Sequence, residues 1–184
     1  MFDTPLFTFI SLLGIAILFS YLLVFGNIGN TFSIDGNSYS YIDSPYWLGI
    51  SKNNIYAIIG FQVLAAIGYI MWIIWLCTET NYGTSILRFR WVRSLLVSSF
   101  LLSSALWPFS AYYYLISPSL SRSLLCCSSL WISALSVILM LAGTFEADSP
   151  AYATIGILFL STVVVLADGV GWSARCIQDS IYNH

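Results

Sequence analysis

Five apolar runs, over residues 6–25, 55–77, 94–116, 124–145 and 151–172, are joined by short polar stretches and take up most of the chain. Each is about 20 residues or longer, the length a helix needs to cross ~30 Å of hydrocarbon at 1.5 Å per residue. A helix in a water-soluble domain keeps one polar face, so five runs apolar all round point to lipid as the solvent. The charge content agrees: 8% of the residues are charged and 59% are hydrophobic, whereas soluble domains carry roughly 25% charged residues. The expected fold is all-α: one domain over 1–184, a compact bundle of five transmembrane helices.

The same composition narrows function. A net charge of −2 built from few charges offers no basic stripe for phosphates, so no nucleic-acid partner is expected. The only histidine is His184, the last residue, and the only lysine is Lys52, in a connection. Bis-histidine haem, histidine general-base chemistry and a retinal Schiff base within the membrane are therefore disfavoured. Cys77, Cys126, Cys127 and Cys176 form neither Cys-x-x-Cys nor a Cys/His set, which leaves them as packing residues. No glycine-rich phosphate loop or nucleophile elbow is present. The expectation is a protein that is not an enzyme and uses no cofactor or metal. The start, Met1-Phe2-Asp3-Thr4-Pro5, is acidic, and no small-residue cleavage site follows residue 25, so the first run reads as a retained helix.

Connections set the topology. The longest, 26–54, carries Asp35-Gly36 between alternating residues, a hairpin signature over 31–42. It ends on Ser44-Pro45-Tyr46-Trp47, and Asn53 or Asn54 is placed to cap the second helix. Residues 78–93 hold Arg88, Arg90 and Arg93, interleaved with Phe89 and Trp91. Clustered arginines stay cytoplasmic, which places the N-terminus inside and the C-terminus on the opposite side of an unspecified membrane. Lys52, Arg122 and Arg175 fall at the other end and balance the count. The remaining joints, 117–123 and 146–150, are short enough to force antiparallel neighbours. Glu79, Glu146 and Asp148 read as solvated groups at helix ends.

Within the runs, small residues recur four apart at Ser99/Ser103, Ser129/Ser133 and Ala167/Gly171, as close helix packing in lipid requires. A polar lining to a cavity is the alternative. Asp168 is the conspicuous charge, since a carboxylate inside a membrane helix costs about 2.5–3.5 kcal/mol on insertion scales and asks for a partner. Arg175, seven residues on, is one candidate; reaching the headgroups beside Trp172 is the other outcome. Trp107-Pro108 interrupts the third run, where proline removes a backbone hydrogen bond and the indole opens a wedge. An aromatic intramembrane pocket would then be lined by Trp107, Pro108, Tyr112, Trp131, Asp168 and Trp172, with the other aromatic residues in interfacial belts.

These residues resemble the translocator protein family, also called tryptophan-rich sensory proteins. The resemblance rests on Pro45-Tyr46-Trp47 at the end of a long first loop, Trp107-Pro108 in the third helix, and Asp168 with Trp172 in the fifth. Asp168 stands where the family has an asparagine, Gly49-Ile50 replaces its paired prolines, and the second-helix aromatics fall out of its register. The resemblance implies a five-helix protein that binds porphyrins, sterols or other apolar ligands. Three functional readings follow: a receptor or carrier for an apolar small molecule, a non-catalytic subunit of a larger membrane complex, and an ion or proton pathway through Asp168. Expected partners are the bilayer, an apolar ligand, and further copies or complex subunits.

Overall fold

The computed structural model describes residues 3–25, 34, 44–48 and 50–182, so the hairpin expected over 31–42 lies, Ile34 apart, outside the described residues. Four continuous helices are α1 (Thr4–Phe25), α2 (Lys52–Thr78), α3 (Arg90–Ile116) and α4 (Leu120–Glu146). The fifth run forms α5 (Ala151–Ser161), a π-helical segment (Thr162–Trp172) and α6 (Ser173–Tyr182), one after another without a turn between them. Among the described residues, five helical stretches are thus long and apolar enough to cross a membrane.

Helix ends differ from the ends of the apolar runs in an instructive way. Helices α2, α3 and α4 begin three or four residues earlier, at Lys52, Arg90 and Leu120, and the last stretch continues past Trp172 to Tyr182. Hydropathy marks where side chains meet lipid, whereas backbone hydrogen bonding carries a helix on through polar residues once it is nucleated. The cap of α2 is accordingly Ser51, in extended conformation and without a side-chain cap bond, and not Asn53 or Asn54, which lie inside the first turn. Asp3 caps α1 by accepting the Leu6 N–H at 3.1 Å, and Ser119 caps α4 by accepting the Arg122 N–H. Helix α3 runs unbroken through Pro108.

Packing closes the helices into a ring. Helix α3 lies between α1 and α4, α4 packs on the α5–π stretch, and α5 packs on α2, while α1 and α2 touch only sparingly. The tightest seam joins α2 to α5, where Gly68 and Gly156 bring the two backbones together. The α3–α4 seam is polar: Ser103 Oγ and Ser133 Oγ are 2.7 Å apart, and Ser104 Oγ is 3.2 Å from Ser133 Oγ. Serines of this seam also bond back to the preceding turn, as Ser103 does to the Ser99 carbonyl. Of the serines expected at four-residue spacing, Ser103 and Ser133 meet across the seam.

Two apolar clusters fill the ring. One gathers Trp72, Trp75, Leu76, Val97, Leu101, Met140 and Ile157 at the end where α1 begins; within it Trp72 Nε1 donates to Thr144 Oγ1 at 2.8 Å. The other gathers Trp107, Ala111, Tyr114, Cys126, Cys127, Leu130, Trp172 and Cys176. All four cysteines are buried free thiols. Outward positions such as Leu12, Ile15 and Leu18 are exposed leucines and isoleucines, suited to lipid.

The arginine cluster is partly consumed by structure. Arg90 Nη2 meets Asp3 Oδ1 at 3.1 Å and Arg93 Nη2 meets Asp3 Oδ2 at 4.0 Å. Arg93 also donates to the Leu87 carbonyl at 2.7 Å and covers the Tyr82 ring at 4.5 Å. Beside them the backbone N–H groups of Asn81 and Thr80 hold the Glu79 carboxyl below its ordinary range. Glu146 and Asp148 are exposed, as expected of helix-end groups.

Candidate functional site

The site begins with the π-helical segment. Val163, Val164 and Val165 are β-branched and poor helix formers, and Gly169 and Gly171 follow within the same stretch. An i→i+5 turn admits one more residue than an α turn, and such segments are frequent at functional sites. Gly169 also lets the segment lie close on α4, since a Cβ there would stand 3.0 Å from the Ala134 Cβ. From α4, Trp131 Nε1 donates to the Gly169 carbonyl at 3.1 Å and ties the two elements.

Over this segment lies the end of the first loop. Pro45–Trp47 form a short 3-10 turn, capped by Ser44 Oγ accepting the Tyr46 N–H at 3.4 Å. Trp172 Nε1 donates to the Tyr46 carbonyl at 2.9 Å, and Arg175 Nη1 donates to the Leu48 carbonyl at 3.1 Å. Two side chains one turn apart thus bind two backbone carbonyls of the loop. Tyr46 is buried, and that burial, more than its neighbours Tyr112 and Cys126, pushes its phenol above the ordinary range.

Between these parts is a cavity of about 380 Å³, where α1 and α2 diverge. Its walls are Tyr21 of α1; Tyr46, Trp47 and Ile50; Ile58, Phe61 and Gln62 of α2; Trp107 of α3; and Thr162, Val163, Leu166, Ala167, Asp168, Gly171, Trp172 and Arg175. In its wall the Trp107 ring meets Trp172 edge-on at 5.6 Å and Tyr21 tilted at 5.7 Å. Few polar side chains converge on it: Asp168, Gln62, Thr162 and Arg175. Among the described residues the Asp168 carboxylate has no hydrogen-bond or ion-pair partner, and the guanidinium expected to pair with it is bonded to the Leu48 carbonyl.

Of the six residues expected to line a pocket, Trp107, Asp168 and Trp172 meet at this cavity. The other three lie elsewhere. Pro108 is buried in α3, Tyr112 packs into the second apolar cluster with its ring 5.8 Å from Tyr113, and Trp131 supports the π segment from behind. Trp172 is buried, with its indole N–H bonded to the loop. Sequence reasoning missed Tyr21, Phe61 and Gln62. Gln62 alone carried a signal, as the one amide inside the second apolar run. Among the described residues no group of His, Cys, Asp and Glu is arranged to hold a metal.

Comparison with protein-family models, with curated proteins and with solved structures finds no match to this chain.

Proposed function

We propose that this chain is a multi-pass membrane protein that binds or carries an apolar small molecule, of porphyrin, sterol or lipid type, in the cavity between α1, α2, α3 and the π segment. The observation that carries the reading is the cavity itself. Its volume of about 380 Å³ falls in the range of small-molecule sites, and its wall is chiefly apolar and aromatic with a few converging polar groups. The resemblance to the translocator protein family belongs to the same proposal: of the residues that carry it, Tyr46, Trp47, Trp107, Asp168 and Trp172 border one space, while Pro45 and Pro108 do not. An N-terminus on the cytoplasmic side, with Arg88, Arg90 and Arg93, completes it.

The ion-pathway alternative draws less support. A relay needs a chain of ionisable groups, and Ser103, Ser104 and Ser133 are bonded to each other across the α3–α4 seam. No observation specifically favours the complex-subunit reading.

The test is thermal unfolding in mild detergent with protoporphyrin, a sterol or a fatty acid. A saturable rise in the midpoint is expected, because a ligand that binds only the folded state stabilises it by RT ln(1 + [L]/Kd). The rise should shrink in Trp107→Ala and in the milder Phe61→Ala. A well-folded wild type that shows no rise with any of the three overturns the proposal for these ligand classes.

A further inference from the structure

We propose that the ligand of this cavity carries a positive charge, an ammonium or quaternary ammonium group on an apolar body, and that Asp168 is its counter-ion. The inference rests on the ligand-binding reading above and names the chemical class that the cavity selects.

Two independent features carry it. The first is the Asp168 carboxylate, which borders the cavity and has no partner among the described residues. An ionised carboxylate walled by apolar groups is costly unless a cation or several donors satisfy it. Here the cationic residue that borders the same cavity, Arg175, is turned to the Leu48 carbonyl at 3.1 Å. Among the described residues, that leaves the charge for something that enters.

The second is the wall itself. Six aromatic residues, Tyr21, Tyr46, Trp47, Phe61, Trp107 and Trp172, border the same space. The negative face of an aromatic ring attracts a cation by about 0.5–2 kcal/mol, and rings around a carboxylate are the means by which proteins take up quaternary ammonium groups. The same ring faces repel an anion. An anionic head drawn by Arg175 would also face the unpaired Asp168 carboxylate. Arg175 is exposed and its guanidinium already donates to the Leu48 carbonyl, whereas Asp168 has no partner among the described residues, so Asp168 is the group that the entering charge answers. The charged end of the ligand therefore lies toward Asp168, and its apolar body toward Ile58, Val163 and Leu166.

The competing state of Asp168 is the neutral acid, which would donate a hydrogen bond to a carbonyl or ether oxygen of an uncharged ligand. An isosteric pair of probes separates the two: benzyltrimethylammonium, and neopentylbenzene, in which carbon replaces the charged nitrogen. Binding of each to the full chain in a non-ionic detergent is followed by the unfolding midpoint and by tryptophan emission, with sodium chloride matching ionic strength. The expected result is saturable binding of the cation to the wild type at least ten-fold tighter than neopentylbenzene. In Asp168→Asn that preference should fall to three-fold or less, with neopentylbenzene unchanged. Because Asp168→Asn removes an unpaired charge, its own midpoint should equal or exceed that of the wild type.

Equal binding of the two probes to the wild type overturns the inference and leaves the apolar-ligand reading standing. So does a cation preference that survives Asp168→Asn. Failure of both probes, together with no response to protoporphyrin, sterol or fatty acid, overturns the apolar-ligand reading itself. The comparison of the two probes on the wild type decides the matter even if the variant does not fold.

Discussion

Gly68 and Gly156 face each other so closely across the α2–α5 seam that a Cβ on Gly68 would lie 2.4 Å from the Gly156 carbonyl oxygen. The relation is nearly reciprocal, with a Cβ on Gly156 falling 2.5 Å from the Gly68 carbonyl oxygen. In lipid there is little hydrophobic drive between helices, so backbone approach of this kind is what dispersion and packing can use. The seam also sets the separation of α2 from the fifth stretch, and so the width of the cavity that both border.

Gly68→Ala and Gly156→Ala should each destabilise the bundle by about 1–3 kcal/mol, the usual cost of forcing extra volume into a packed contact. Gly60→Ala is the control. It lies on the same helix with nothing within 4 Å of its Cβ position, and it should be neutral or gain up to about 1 kcal/mol from helix propensity. Unfolding midpoints in detergent read the difference; equal effects at Gly60 and Gly68 would refute the close seam.

The hydroxyl pair Ser103 and Ser133 should show a coupling of about 0.6 kcal/mol, the average for polar pairs between membrane helices. Either hydroxyl can donate across the seam, since Ser103 also bonds the Ser99 carbonyl and Ser133 the Ser129 carbonyl. A double-mutant cycle with Ser103→Ala and Ser133→Ala measures it. Ser104 Oγ at 3.2 Å can replace the lost partner in part, so coupling should grow when the cycle is repeated on Ser104→Ala. A coupling of zero on both backgrounds would count against the bond.

Tyr82 gives a pH dependence with a defined sign. Burial raises its phenol to about 12 despite the opposing pull of Arg93, and its O–H donates to the Leu76 carbonyl at 2.5 Å. The unfolded phenol titrates near ~10, so the stabilisation by the neutral form is complete below that pH and is lost as the pH rises through about 12. The stability advantage of wild type over Tyr82→Phe should be about 1 kcal/mol at pH 8 and should shrink from pH ~10 upward. Unfolding of both proteins across this range, with tyrosinate absorbance as a marker, tests it; an advantage that does not change with pH contradicts the assignment.

The parts of the site differed in how much of themselves they showed in the sequence. Asp168 is visible to any reading because a carboxylate in an apolar run is expensive. Trp107 and Trp172 could be paired with it by position in their helices, and they do border the same cavity. Trp131 and Tyr112 occupy comparable positions in their runs and face elsewhere. What separates them is helix rotation about its own axis, which an all-apolar run leaves unspecified because every face is equally acceptable to lipid. The π segment adds a second difficulty: counting seven residues from Asp168 to Arg175 as one face assumes the α period, which Thr162–Trp172 do not keep.

Five helical stretches were determined by the sequence alone, because an apolar run long enough to cross a membrane would have to satisfy its backbone internally there, and a helix is how it does so. The tertiary structure alone decided which helices are neighbours, where α1 parts from α2, and that Trp172 and Arg175 bind the loop carbonyls of Tyr46 and Leu48. Those outcomes depend on close contacts between residues far apart in the chain, such as Gly68 with Gly156 and Ser103 with Ser133. Hydropathy is a property of each run by itself and carries no record of which surfaces meet.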